Sequence, residues 1–455
     1  MTLTRRLALG SLLAAALLGA CATPPSTVHP PIVFVHGNGD TAALWTTTMW
    51  RFESNGWARE RLHAIDLAYP EARDDDGKLQ EGRSSTTDHM RFLAAEVEKV
   101  RKATGAEKVV LFGNSRGGNA IRNYVANGGG VNTVSHAILG GTPNHGVWAI
   151  KELNPGNEFN GAGPFLVALN SPKGPSGDEV TPGVKWMTIR SDSNDLYAQP
   201  DGVFIGAKGQ PTNVSFEGPA LKGATNVVLP GIDHRETSYH PSAFAKAYEF
   251  IAGKPATTAI TPETTVVLDG KVSGLGVNNT QGNLANNLPL VGATLEVYRT
   301  SPATGDRVGE ALHRKTIGAD GMWGPFTADG TATYEFVITA PGYATTHIYR
   351  SPFPRSSNVV NLRARRLVDA DKDAKSVVTL ARPRGYFTLP RDRISLDGVS
   401  PPPGVPSGVG SVASAKLKVA DNTGRAVPAE FNGERIVGRA WPAAENRVVF
   451  LELHH

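Results

Sequence analysis

The sequence predicts an α/β domain built on a mostly parallel sheet, followed by an all-β sandwich region. Three observations predict it. Between about residues 31 and 253, short apolar runs alternate with amphipathic stretches, as in a parallel sheet covered on both faces. From Lys254 to Pro262 a Pro/Thr/Ala stretch shows no periodicity and reads as a linker. Beyond it helical spacing gives way to short alternating runs separated by Gly, Pro and Asn, the pattern of one or two β modules.

The chain begins with a targeting segment. Arg5-Arg6 is a basic n-region, and Leu7 to Ala20 is an apolar run too short for a lasting membrane span. Leu18-Gly19-Ala20-Cys21 resembles a bacterial lipobox, which makes Cys21 the expected lipidated mature N-terminus. Ala22 follows where an Asp would signal retention at the inner membrane, so an outer-membrane anchor is implied. Thr4-Arg5-Arg6 also resembles a twin-arginine signal. The expected division is therefore signal 1–20, α/β domain 21–253, linker 254–262 and β-rich region 263–455. Cys21 is the single cysteine, which excludes an internal disulfide and a cysteine-based zinc site.

The elements follow in order. Ile32 to Val35 and Leu62 to Asp66 read as strands. Met90, Leu93, Val97 and Val100 keep helical spacing, with Asp88 as the expected N-cap and Gly105 as the stop. Val109 to Phe112 is a third strand, with a helix through Ala120, Ile121 and Tyr124 behind it. Val134–Leu139, Lys185–Ile189 and Asn226–Leu229 complete the strand set, and Pro241 opens a last helix. In the β region Ala293–Tyr298, Thr333–Ile338 and Ser376–Leu380 alternate, and 401–412 reads as a long loop.

Gly113-Asn114-Ser115-Arg116-Gly117 matches G-x-S-x-G, placed directly after an apolar strand and before a helix, as a nucleophile elbow must be. Only small residues at 113 and 117 let strand and helix approach closely enough to thrust Ser115 forward. The base must come later in the chain, and His234 lies between the last strand and the last helix. His240 is the runner-up, compromised by Pro241. The acid belongs beyond the strand Lys185–Ile189, where Asp192, Asp195 and Asp201 qualify by position; Asp195 is preferred because it sits on the turn clear of the last pairing. Two backbone N–H donors must face the developing oxyanion, and Asn38 and Arg116 are placed to supply them. Backbone donation leaves the Arg116 side chain unconstrained.

Val35-His36-Gly37, the Gly113–Gly118 elbow, Gly141-Thr142-Pro143-Asn144-His145-Gly146 and the Asp195…His234 pairing resemble the small bacterial lipases of the α/β-hydrolase fold. The segment from Phe159 to Asn170 resembles a stretch near their acyl pocket. This resemblance implies Ser115 as nucleophile, His234 as base, Asp195 as acid, and Asn38 and Arg116 as oxyanion donors. The elbow departs from those lipases in reading Asn-Ser-Arg. The expected lid is small, formed by residues 68–85 or 147–182. From Leu288 onward, Pro289 to Ala293, Ala319-Asp320-Gly321 and Pro341-Gly342-Tyr343 resemble a transthyretin-like or lipase-type β-domain, which is non-catalytic. Arg350, Phe353 and Arg355 are candidates to face a substrate or a cell surface.

The expected activity is that of an exported serine esterase or lipase acting on acylglycerol-like esters, tethered to the membrane through the N-terminal lipid. A polyester depolymerase is the alternative enzyme, and a surface binding protein with an inactive hydrolase domain is the alternative of another class. No cofactor is expected, and no metal. Asp369-Ala370-Asp371-Lys372-Asp373 begins like a calcium loop, but Ala374 and Leu380 stand where that loop needs Gly and Glu. The net charge of +4 falls to +2 without the signal and is spread thinly, which excludes nucleic acid as a partner.

Overall fold

The protein is described by a computed structural model over residues 29–279, 282–421 and 424–455. The expected signal segment, Cys21 included, lies outside the described residues. Six strands build the first sheet: β1 (Ile32–Val35), β2 (Leu62–Ile65), β3 (Val109–Asn114), β4 (Val134–Gly140), β5 (Lys185–Ser191) and β6 (Thr225–Leu229). All neighbours are parallel, in the order β2-β1-β3-β4-β5-β6. Composition follows position. β1 and β3 are central and buried at every residue, whereas β6 is an edge strand and leaves Val228 exposed.

The chain leaves β1 toward β2 on one side and returns to β3 on the other. Strand order reverses between β1 and β3, and the loops beyond their carboxyl ends diverge to open a crevice.

Among the described residues the α-helices are α1 (Thr46–Ser54), α2 (Thr86–Thr104), α3 (Arg116–Asn127), α4 (Pro164–Leu169), α5 (Glu236–Tyr239) and α6 (Pro241–Ala252). Strand side chains alternate between the two faces. Ile32 and Phe34 pack with Met49 and Phe52 of α1 and Phe244 and Tyr248 of α6. Val33 and Val35 pack with Leu93 and Val97 of α2 and Ile121 and Tyr124 of α3. The N-cap of α2 is Ser85 rather than Asp88. The Ser85 hydroxyl accepts from the Asp88 N–H and the Asp88 carboxylate accepts from the Ser85 N–H, so Asp88 is the third-position member of a capping box. Gly105, at φ +66°, ends the helix as expected.

Residues 254–262 hold no helix or strand, yet they are strapped along α1. Arg51 Nε donates to the Thr258 carbonyl (2.9 Å), Asn55 Nδ2 to the Thr257 carbonyl (2.8 Å), and the Thr261 N–H to Ser54 Oγ (2.9 Å). The β region beyond has two hydrophobic cores, one around Trp323, Phe336 and Phe353 and one around Phe387, Phe431 and Leu451. A single seven-stranded sheet runs past both. Its join is the C-terminal strand Arg447–Glu452, parallel to Thr345–Arg350 on one side and to Ser376–Ala381 on the other. Trp50 of α1 belongs to the first β core and donates to the Ser356 carbonyl (2.9 Å), so the hydrolase helix and the β region share packing.

The surface expectation for Arg350, Phe353 and Arg355 is overturned. Arg350 is 3% exposed, bonded to Glu452 and His454, and Phe353 is fully buried. Arg355 bridges Glu53 of α1 and Glu263 at 3.0 Å each, so all three residues serve packing rather than an open face. In the Asp369–Asp373 string, Asp371 takes Lys416 (2.6 Å) and Asp373 takes Lys418 (2.7 Å).

Candidate active site

Ser115 stands between β3 and α3 at φ +52°, ψ −123°, a region costly for any residue with a side chain. The strain is held by close packing. A Cβ on Gly117 would lie 2.4 Å from the Val35 carbonyl oxygen, so glycine there lets α3 start against β1. Ser115 is 8% exposed and lines a pocket of about 150 Å³ together with His234.

His234 follows β6, as Asp195 follows β5. The His234 Nδ1 faces both Asp195 oxygens, at 2.9 and 2.8 Å. Asp195 Oδ1 also accepts the Tyr197 N–H (2.8 Å), and the Tyr197 ring stands edge-on to the imidazole, centroids 4.6 Å apart. With Nδ1 held by a carboxylate, the opposite nitrogen is the one free to take a proton. That Nε2 is buried and has no hydrogen-bond partner among the described residues.

The other two carboxylates expected near the base point elsewhere. Asp192 accepts the Ser193 and Gly231 N–H groups, and Asp201 accepts the Val203 N–H. His240 caps α6 through Ser242, and burial lowers its pKa to about 4. His145 pairs with Glu179 (3.0 Å).

His36 orients the β1 loop. Its Nε2 accepts the Leu67 N–H (3.1 Å), which leaves Nδ1 to donate to the Gly37 carbonyl (2.8 Å). In a trans peptide the N–H points opposite the carbonyl, so the Asn38 N–H is turned to the other side of that peptide. The Asn38 side chain is pinned too: Oδ1 accepts the Ala72 N–H and Nδ2 donates to Glu71 (2.7 Å each). The Arg116 N–H opens α3, where the first helical N–H groups have no intrahelical acceptor.

The Arg116 side chain is not unconstrained. It is 1% exposed and forks onto Glu158 (2.8 Å twice), while also donating to the Pro70 and Ser84 carbonyls and the Ser84 hydroxyl. Burial pushes the Glu158 carboxyl up, and the guanidinium draws it back. This one residue ties both expected lid segments, 68–85 and 147–182, to the elbow. Asn114 does the equivalent on the other side, its Nδ2 donating to the Gly140 and His234 carbonyls (3.3 Å each). The unusual Asn-Ser-Arg elbow thus has a structural reason at each flank.

Val147, Trp148, Phe159, Phe204, Ile205 and Tyr386 form the apolar part of the pocket wall, and Asn38, Asp40 and Arg235 a polar part. Phe159 lies in the stretch expected near the pocket. Phe204 and Ile205, on the β5–β6 connection, and Tyr386, from the C-terminal region, carry no motif. A larger cleft of about 570 Å³ lies on the far side of Asp195 and Tyr197 and contains neither Ser115 nor His234.

A strained serine between a parallel strand and a helix, with a carboxylate–histidine pair after the next strands, defines an α/β hydrolase. Residues 29–152 match the family model for lipase (class 2), and residues 264–367 match the model for a lipase C-terminal domain. The chain is a lipase-type carboxylic-ester hydrolase that carries both parts. Among solved structures, it is similar to the mature form of the Bacillus licheniformis lipase BlEst2 (20% identity, 47% of this chain, 87% of that one, TM-score 0.31). It is also similar to the propeptide form of that lipase (15% identity, 70% and 90%, TM-score 0.36). A third is the Legionella pneumophila phospholipase PlaB in complex with thio-NAD (13% identity, 75% and 95%, TM-score 0.33).

Proposed function

We propose that this lipolytic hydrolase works through a Ser115–His234–Asp195 triad and an acyl-enzyme. The observation that carries the reading is His234: Nδ1 held by Asp195, Nε2 buried and unpaired in the pocket that Ser115 lines. His234 takes the Ser115 proton as Oγ attacks the ester carbonyl. The negative charge moves to the carbonyl oxygen, where the Asn38 and Arg116 N–H groups receive it. The histidinium then protonates the departing alcohol, and water, activated by the same imidazole, releases the acid. Asp195 stabilises the imidazolium and keeps its own charge throughout. Nε2 has no partner among the described residues, and the catalytic Ser115–His234 hydrogen bond is expected to tighten in the substrate complex.

Pocket size bears on the substrate. A pocket of about 150 Å³ takes a guest the size of benzene, about six carbon atoms. Short to medium acyl esters are therefore the favoured substrates of this conformation. On a series of p-nitrophenyl esters, kcat/KM is expected to peak near butyrate or hexanoate and to fall by palmitate. A peak at palmitate would contradict the pocket assignment.

We further propose that the enzyme is exported and lipid-anchored through Cys21. Cys21→Ser is expected to turn a membrane-pelleting protein into a soluble exported one without changing kcat. No described helix is long and apolar enough to cross a membrane, and several acyl chains anchor where one holds only marginally. Fractionation after a carbonate wash, with mass spectrometry of the N-terminal peptide, checks this. An unmodified Cys21 in the wild-type protein would contradict it.

A further inference from the structure

We infer that the second β core, through residues 382–410, is part of the active site, with Tyr386 as the wall that sets which acyl chains fit. This rests on the reading of Ser115 as the nucleophile.

Tyr386 lies some 270 residues from Ser115 in sequence, yet it lines the same pocket and is 8% exposed. It is held from every side. Its N–H donates to Asp233 Oδ2 (2.8 Å), the residue before His234. Its carbonyl accepts from Arg382 (2.5 Å) and Arg391 (2.8 Å). The Arg235 guanidinium lies 5.0 Å from the ring centroid and donates to the Pro383 carbonyl. The backbone is thus fixed on both sides of this buried ring, which packs against the Arg235 guanidinium.

The same segment grips the loop that carries the base. Asp233 is fully buried and Glu236 is 6% exposed. Arg382 donates to Asp233 (2.9 Å) and to Glu236 (2.5 Å), and Arg391 donates to Glu236 (2.7 Å). These arginines belong to the second β core and the carboxylates to the hydrolase domain, and two buried carboxylates so close need both cations. Gly410 adds a third grip: its N–H donates to Asn194 Oδ1 (2.8 Å), beside Asp195, and Asn194 Nδ2 reaches the Gly231 carbonyl (3.1 Å). The loops bearing Asp195 and His234 are thus fastened to each other and to this core. Geometry held this way is what a pre-organised site requires.

The test uses the full-length protein. Fluorophosphonate labelling of wild type at Ser115 is measured first, so that failure of the underlying reading is seen separately. The readout for Tyr386 is the ratio of kcat/KM for p-nitrophenyl decanoate to that for butyrate. Tyr386→Ala is expected to raise the ratio about tenfold or more, and Tyr386→Phe to leave it at the wild-type value. Tyr386→Trp keeps the space filled and is expected to lower it, which decides the matter should the alanine variant fail to fold. Ratios within twofold of wild type in the folded Ala or Trp variant would overturn the assignment. Arg382→Lys keeps the charge but loses the fork that spans Asp233 and Glu236. It is expected to lower kcat for the butyrate ester by about 10²-fold, as a small misplacement of the base would. An unaltered kcat would remove the segment from any positioning role.

Discussion

Ser115→Ala is expected to lower kcat by on the order of 10⁶, the loss typical of removing the nucleophile from a triad that acts as a unit. The fold should survive. Alanine keeps a Cβ at φ +52°, so the strain of the elbow is unchanged, and no described hydrogen bond uses the Ser115 hydroxyl. A melting temperature near wild type, together with ester turnover at background, is the expected pair of results.

Asp195→Asn is expected to lower kcat by about 10⁴ while leaving KM and stability close to wild type. The asparagine carbonyl can still accept the Tyr197 N–H that Asp195 Oδ1 takes at 2.8 Å. Its amide then faces His234 Nδ1 as a donor. That forces the proton onto Nε2 and leaves the base in the wrong tautomer for receiving the Ser115 proton. Asp192→Asn and Asp201→Asn should each change kcat less than tenfold, because those carboxylates cap neighbouring N–H groups and do not meet the imidazole. Steady-state kinetics of the three variants checks this, and a large loss in Asp192→Asn would assign the acid elsewhere.

The arrangement of Ser115, Asp195 and His234 proposed to be catalytic was legible in the sequence because its parts are local. A strand, a tight glycine-flanked turn and a helix are adjacent in the chain, and the loops bearing Asp195 and His234 each follow their own strand. What escaped notice acts over long sequence separations or against residue type. Arg116 reads as a surface residue, and only a carboxylate 42 positions away, Glu158, makes its burial possible. Ser85, Thr86, Thr87 and Asp88 all suit a helix N-cap, and local pattern does not rank them. Phe204, Ile205 and Tyr386 reach the pocket through tertiary packing, which leaves no periodic trace. Arg350 and Phe353 look exposed as a string, but parallel pairing with Arg447–Glu452 encloses Arg350 and the first β core encloses Phe353. A C-terminal strand inserted between earlier ones cannot be read from alternation alone.

The most direct test is to trap the covalent intermediate. The wild-type protein is mixed with p-nitrophenyl butyrate, quenched in acid within the first turnover, digested and examined by mass spectrometry. A butyryl group on the peptide containing Gly113–Gly117, located at Ser115 and absent from Ser115→Ala, is the predicted result. Ester hydrolysis with no such adduct, or with the acyl group on another residue, would contradict it.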